Sequence, residues 1–193
     1  MNPLNPCLIN SIPIILSYTQ RNQRYLTTKS QCNRRGFYEC YNWTSSENPD
    51  RNQTYLMTTK ELLNLALEAR MHSYSPYSNF EVGAALLAKS GVVYLGCNIE
   101  SAAYPAAICA ERTAFSKAVS GGCREFDAIA IAGAPKGRKP DGECVPCGVC
   151  RQVMAEFCRP DFKIVLGTPD NHISYALGDL LPKPFGPGSL GKA

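Results

Sequence analysis

Two short cysteine segments constrain the fold of this chain more than any other feature: Cys109-Ala110-Glu111-Arg112 and, further on, Pro146-Cys147-Gly148-Val149-Cys150. A Cys-x-x-Cys turn aims both sulfurs at one point, and Cys109 can join them only if the fold carries the two segments to the same place. Three thiolates around a tetrahedral zinc ion leave one position for water, and Glu111 sets a carboxylate beside it. Hydrolysis needs such a proton-carrying acid, whereas a structural zinc site does not. Spacing alone leaves other readings open. Cys147 and Cys150 could be a redox pair, Cys144 or Cys158 could complete a four-thiol structural site, and Glu111 could be a solvated acid favoured by the helix dipole.

Charge balance gives Arg112 a role. Zinc with three thiolates carries a net negative charge and acidifies water poorly. Moving the pKa of water from 15.7 to about 7 is worth roughly 12 kcal/mol. Arg112 follows Cys109 at helical i,i+3 spacing, so it lies on the same face and can hydrogen-bond the ligand sulfurs, with two helix N-termini adding partial positive charge. A solvated surface arginine is the plainer alternative.

With 193 residues, 45% of them hydrophobic, the chain suits one ordinary domain with some excess. Residues 1–56 hold six Lys/Arg against three Asp/Glu, and residues 57–193 hold fourteen against thirteen. The nearly neutral main body is not built to grip a phosphate backbone, so nucleic acid is not an expected partner. The apolar run Leu8–Leu16 is broken by Asn10, Ser11 and Pro13 and has no basic residue before it, and no stretch approaches the ~20 apolar residues of a membrane span. Ten cysteines without an export signal imply a reducing compartment, hence a cytoplasmic protein with thiols free for metal. The sequons at Asn42 and Asn52 then read as chance matches.

Residues 1–56 show no acid before Glu39 and no sustained periodicity, and are expected to form a weakly ordered extension. Being acid-poor and hydroxyl-rich, it is either an organelle-import leader or sequence upstream of a start at Met57. From residue 57 the pattern is regular. Thr58 and Glu61 form a capping box for a helix over 58–72, with Leu62, Leu63, Leu65, Ala66 and Ala69 as its apolar stripe. Phe80–Ala88 and Val92–Cys97 read as a hairpin joined at Lys89-Ser90-Gly91. A helix over 108–120 follows, then a β-run over 127–133. Next come a helix from Cys147 with Val149, Val153, Met154 and Phe157 at helical spacing, a strand over 162–166 and a second near Ile173. This alternation predicts a three-layer α/β/α domain over 57–193, with the thiols where two helix N-termini meet.

Several ordered motifs together closely resemble the cytidine deaminases, in their small three-cysteine form. They are Pro76-Tyr77-Ser78-Asn79-Phe80, Val82-Gly83-Ala84-Ala85-Leu86-Leu87, Gly96-Cys97-Asn98-Ile99-Glu100 and the two cysteine segments, the second continuing into Arg151-Gln152. The resemblance covers about residues 58–188 and implies a central mixed sheet and one Zn2+ per subunit on Cys109, Cys147 and Cys150. It further implies hydrolytic deamination of cytidine and 2′-deoxycytidine to uridine and 2′-deoxyuridine with release of ammonia, in pyrimidine salvage. Glu111 would carry the water proton to N3 and later help ammonia leave. The backbone of Ala110 would meet the base carbonyl, Asn98 and Glu100 the ribose 3′-hydroxyl, and Phe80 the pyrimidine face. Phe185 and Tyr104 would reach a neighbouring subunit's site, in a homotetramer. One departure is Ser101, where many relatives carry Asn. Read without the resemblance, Asn98 and Glu100 are turn residues after a strand and both phenylalanines belong in a core. Cys97, Cys123 and Cys158 read as ordinary buried or half-buried thiols.

Two other functions compete with this one. A relative acting on a nucleoside antibiotic or a polynucleotide would share the fold, although a polynucleotide enzyme needs a basic track and stacking aromatics that residues 57–193 do not offer. A zinc-stabilised binding module would unfold without metal and be indifferent to Glu111→Ala.

Overall fold

The computed structural model describes residues 57–191. The extension over 1–56, with its sequons and the leader or alternative-start readings, lies outside the described residues. The first helix, α1 (Thr59–Arg70), opens with the capping box: Thr58 Oγ1 accepts from Glu61 N at 3.2 Å, and the Glu61 carboxylate accepts from Thr58 N at 2.8 Å. Strands β1 (Phe80–Ala88) and β2 (Val93–Cys97) form the antiparallel hairpin. After a 3-10 turn at Tyr104–Ala106 come α2 (Ala110–Ser120), β3 (Phe126–Pro135), α3 (Gly148–Phe157), β4 (Lys163–Gly167), β5 (His172–Ala176), the short α4 (Leu177–Leu180) and a closing 3-10 turn, Pro187–Leu190.

The strands make one five-stranded sheet in the order β2-β1-β3-β4-β5, antiparallel except for the β3–β4 pair. That parallel pair demands a crossover, which α3 supplies. Alternation along the strands sends side chains to two cores. Ala85, Ala128, Ala130, Ala132 and Val165 meet Leu62, Leu63 and Ala66 of α1. Ala84, Leu86, Ile129, Ile131, Ile164 and Leu166 meet Ala114 and Phe115 of α2 and Met154 of α3. The domain is therefore the expected three-layer α/β/α sandwich around a mixed sheet.

Two glycines let helices lie directly on the sheet. A Cβ on Gly83 would stand 2.0 Å from Ala66 O and 2.3 Å from Arg70 N of α1. One on Gly96 would stand 2.3 Å from Ala110 O and 2.5 Å from Ala114 N of α2. At the end of α1, the buried Arg70 guanidinium donates to Glu81 Oε2 at 3.1 Å and to the carbonyls of Glu81, Ala134 and Pro135. This clamps the edge of the sheet where β1 begins and β3 ends.

Some expected boundaries shift for identifiable reasons. The helix expected from residue 108 starts at Ala110, because Ile108 pairs instead with Ile99 through reciprocal hydrogen bonds of 2.9 and 3.0 Å. The run expected over 127–133 extends to Phe126–Pro135, since β1 pairs with it along its whole length. In α3, Val149 is 59% exposed and does not share the inward face, which Cys150 and Met154 occupy.

Candidate active site

Cys109 is the N-cap of α2 and Cys147 the N-cap of α3, each with extended backbone and no cap bond from its side chain, so both thiols are left to point away from their helices. Cys150 sits in the first turn of α3 and is buried. The three Sγ atoms lie within 4.8 Å of one another, with Cys109–Cys147 at 3.8 Å and Cys147–Cys150 at 3.3 Å. Sulfurs ~2.3 Å from a tetrahedral ion sit ~3.8 Å apart, so the cluster fits zinc with little adjustment. Among the described residues no fourth His, Cys, Asp or Glu joins this group. All seven described cysteines are free.

Two charged side chains flank the thiols. Glu111, on the first turn of α2, is only 5% exposed, and burial pushes its carboxyl above the usual range, with the Cys109 charge acting the same way. Arg112 Nη2 donates to Ala107 O at 2.9 Å and approaches Cys109 Sγ at 3.7 Å, while its buried Nε has no protein partner. The Cys109 thiol is lowered to about 5, chiefly by the hydrogen bond from Cys150 and further by Arg112. Cys150 is raised by that same bond and by its burial. The site therefore already favours a sulfur anion at the N-terminus of α2, next to a cation.

A second group lies on the segment between β2 and α2. Asn98 Nδ2 donates to Phe80 O at 2.9 Å, while Asn98 Oδ1 accepts from Val82 N at 2.8 Å and from Ser73 Oγ at 2.5 Å. Glu100 Oε2 accepts from Tyr77 N at 2.9 Å and Ser78 N at 3.2 Å, and Oε1 from Ser78 Oγ at 2.5 Å. These bonds, the Ser78 hydroxyl first, hold the Glu100 carboxyl below its ordinary range. The intervening Ile99 pairs with Ile108, next to Cys109, which ties this segment to the thiol cluster. Thr113 Oγ1 adds a bond from α2 to Cys97 O at 3.0 Å.

The aromatic candidates are not core residues. Phe80 is 39% exposed, with its ring against Gly133, where a Cβ would meet Phe80 Cε1 at 3.0 Å and Cys144 Sγ at 2.5 Å. Tyr104 is 74% exposed, edge-on to Tyr77, and the two line a cleft of about 390 Å³ with Ser78, Glu100, Ser101 and Ala107. Phe185 is 62% exposed, and its carbonyl accepts from Gln152 Nε2 of α3. The structure thus brings the three cysteines, Glu111 and Arg112 into one cluster, and Asn98 into contact with Phe80. Tyr104 and Phe185 stay on the surface. Ser73 and Ser78 carry no role in the sequence reading. Their only sequence signal is a hydroxyl in a proline turn, and their partners lie 25 and 22 residues away.

The family profile described as the cytidine and deoxycytidylate deaminase zinc-binding region matches residues 57–167. This chain belongs to that family. It is 44% identical over 138 residues to the cytidine deaminase of Sporosarcina psychrophila, covering 71% of this chain and 98% of that one. Over 130 residues it is 47% identical to the cytidine deaminase of Halalkalibacterium halodurans, covering 67% and 95%. The crystal structure of cytidine deaminase from Burkholderia pseudomallei superposes with a TM-score of 0.62 at 45% identity, over 67% of this chain and 100% of the other. The matched region supplies both thiol segments and four of the five strands, β1 to β4, and the family's zinc fits the donor set found here.

Proposed function

We propose that this deaminase-family chain catalyses the zinc-dependent hydrolytic deamination of cytidine and 2′-deoxycytidine, giving uridine or 2′-deoxyuridine and ammonia, as a step of pyrimidine nucleoside salvage. The observation that carries this reading is a nearly fully buried carboxylate, Glu111, beside three converging thiols. Cys109, Cys147 and Cys150 would hold the zinc, which when bound supplies the Lewis acidity that makes water a nucleophile near neutral pH.

The remaining work falls to the chain. Glu111 takes the proton of the attacking water and delivers it to N3 as oxygen adds to C4. It then takes the remaining proton from the hydroxyl added at C4 and passes it to the C4 amino group, so that the C4–N bond breaks, ammonia leaves and the C4 carbonyl forms. Arg112 offsets the negative charge of the thiolates through Cys109. Ala110, as the first residue of α2, has an N–H with no acceptor within its own helix, and that donor receives the base carbonyl. Asn98 and Glu100 hold the ribose 3′-hydroxyl, and the exposed edge of Phe80 covers the pyrimidine. Phe185 and Tyr104 are large apolar groups left on the surface, which supports their burial against neighbouring copies in a homotetramer. Among the described residues seven free cysteines support a cytoplasmic setting, and no helix there is long and apolar enough to cross a membrane.

The test is incubation of the zinc-loaded chain with cytidine, following loss of cytosine absorbance and release of ammonia. Glu111→Ala is expected to keep fold and zinc while turnover falls by about 10²-fold or more. Absence of ammonia with both cytidine and deoxycytidine would overturn the proposal. A fully active Glu111→Ala variant would overturn the role of the carboxylate.

A further inference from the structure

We propose that Ser73 is a positioning residue for the sugar, which confines Asn98 to meeting its ligand as a hydrogen-bond donor. The inference rests on the nucleoside reading of the site and follows from counting hydrogen-bond valences there. A carboxamide offers two acceptor lone pairs and two N–H donors. On Asn98, Val82 N and Ser73 Oγ occupy both lone pairs of Oδ1, and Phe80 O takes one N–H of Nδ2. One N–H is left. Glu100 offers about four acceptor positions, of which Tyr77 N, Ser78 N and Ser78 Oγ take three, leaving one on Oε1.

The pair therefore presents one donor and one acceptor, the complement of a single hydroxyl that accepts from Asn98 and donates to Glu100. Turning the amide over would set Asn98 oxygen against Phe80 O and its NH2 against Val82 N–H, so the orientation is fixed by the backbone of β1. Ser73 does what the backbone cannot: it closes the last lone pair and, by donating into the carbonyl, polarises the amide so that its free N–H is a stronger donor. The serine is itself held in place. Its N–H donates to Arg70 O at 3.0 Å, and Tyr74, the next residue, donates from N to Asn98 O at 3.0 Å and accepts from Glu100 N at 2.8 Å. The segment after α1 thus grips both sugar-facing residues by backbone and side chain together.

The test compares cytidine, 3′-deoxycytidine and 3′-amino-3′-deoxycytidine on the zinc-loaded wild type, Ser73→Ala and Ser73→Thr. Ser73→Ala is expected to lower the kcat/KM preference for the 3′-hydroxyl over 3′-hydrogen by about two- to five-fold, the size of one supporting hydrogen bond. The loss should fall on KM, with turnover of 3′-deoxycytidine unchanged. The lone pair it opens on Asn98 should raise the 3′-amino substrate relative to cytidine, and Ser73→Thr, which keeps the hydroxyl, should restore both ratios. Unchanged ratios in Ser73→Ala, or an equal slowing of all three substrates, would overturn the positioning role and leave the deaminase reading standing. A wild-type chain that deaminates none of the three would overturn that reading and this inference with it.

Discussion

Gly96→Ala should damage the thiol site from the opposite side of α2. The new Cβ would stand 2.3 Å from Ala110 O and 2.5 Å from Ala114 N, both backbone atoms that no rotamer change can move. Restoring a normal contact requires α2 to retreat by ~1 Å at its first turn. Overpacking of this kind costs about 1–3 kcal/mol, and the backbone partners place it near the top of that range. For a domain of this size that is a fall in Tm of about 10 °C. The same retreat carries Cys109, Glu111 and Arg112 with the helix, and a ~1 Å misplacement of reacting groups costs about 10²-fold in turnover. Gly83→Ala is the matched control. Its Cβ would meet Ala66 O at 2.0 Å and Arg70 N at 2.3 Å, but the helix it displaces is α1, which holds no thiol of the cluster. The assay pairs thermal denaturation with zinc titration against a competing chelator, well below both melting points. Both variants should lose stability, and only Gly96→Ala should lose zinc affinity. Wild-type zinc affinity in Gly96→Ala, or an equal loss in Gly83→Ala, would refute the claim that close packing of α2 sets the metal geometry.

Two further expectations concern charge. Arg112→Gln removes the cation next to Cys109 Sγ, and loss of one charge-assisted hydrogen bond, about 1.5–3 kcal/mol, should slow cytidine turnover by about ten-fold or more. Zinc content and turnover both at wild-type levels would contradict its role. The Glu100 carboxyl is held low by Ser78 and Tyr77, so the stability it contributes is present above the unfolded carboxylate range and is lost as pH falls through the lower folded value. A ¹³C NMR titration should find Glu100 protonating below the usual range, and closer to it in Ser78→Ala. No movement in that variant would contradict the assignment of the hydroxyl as the main cause.

The parts of this molecule readable in the sequence are those with local causes. Thr58 and Glu61 mark the start of α1 because both halves of a capping box lie within one turn. The thiol cluster is legible for a similar reason: Cys109, Cys147 and Cys150 are each placed by the first turn of a helix, so only the meeting of two helix ends remains to be supplied by the fold. The residues that escaped have distant partners. Nothing near Ser73 in sequence indicates that it will meet Asn98, and the pairing of Ile99 with Ile108 depends on how the segment between β2 and α2 returns. Hydrophobic spacing also misleads where apolar groups serve a surface. Val149 falls on the stripe expected for α3 yet faces outward, and Phe80 and Phe185, core residues by composition, are exposed. Their roles were suggested by family resemblance rather than by pattern.

The central claim is that three sulfurs from two helix ends hold one zinc ion and leave a position for water. Zinc K-edge X-ray absorption on the loaded chain measures this directly. Three sulfur neighbours at ~2.3 Å and one lighter neighbour are expected, with one zinc per chain. Four sulfur neighbours, with Cys144 or Cys158 drawn into the set, would contradict it.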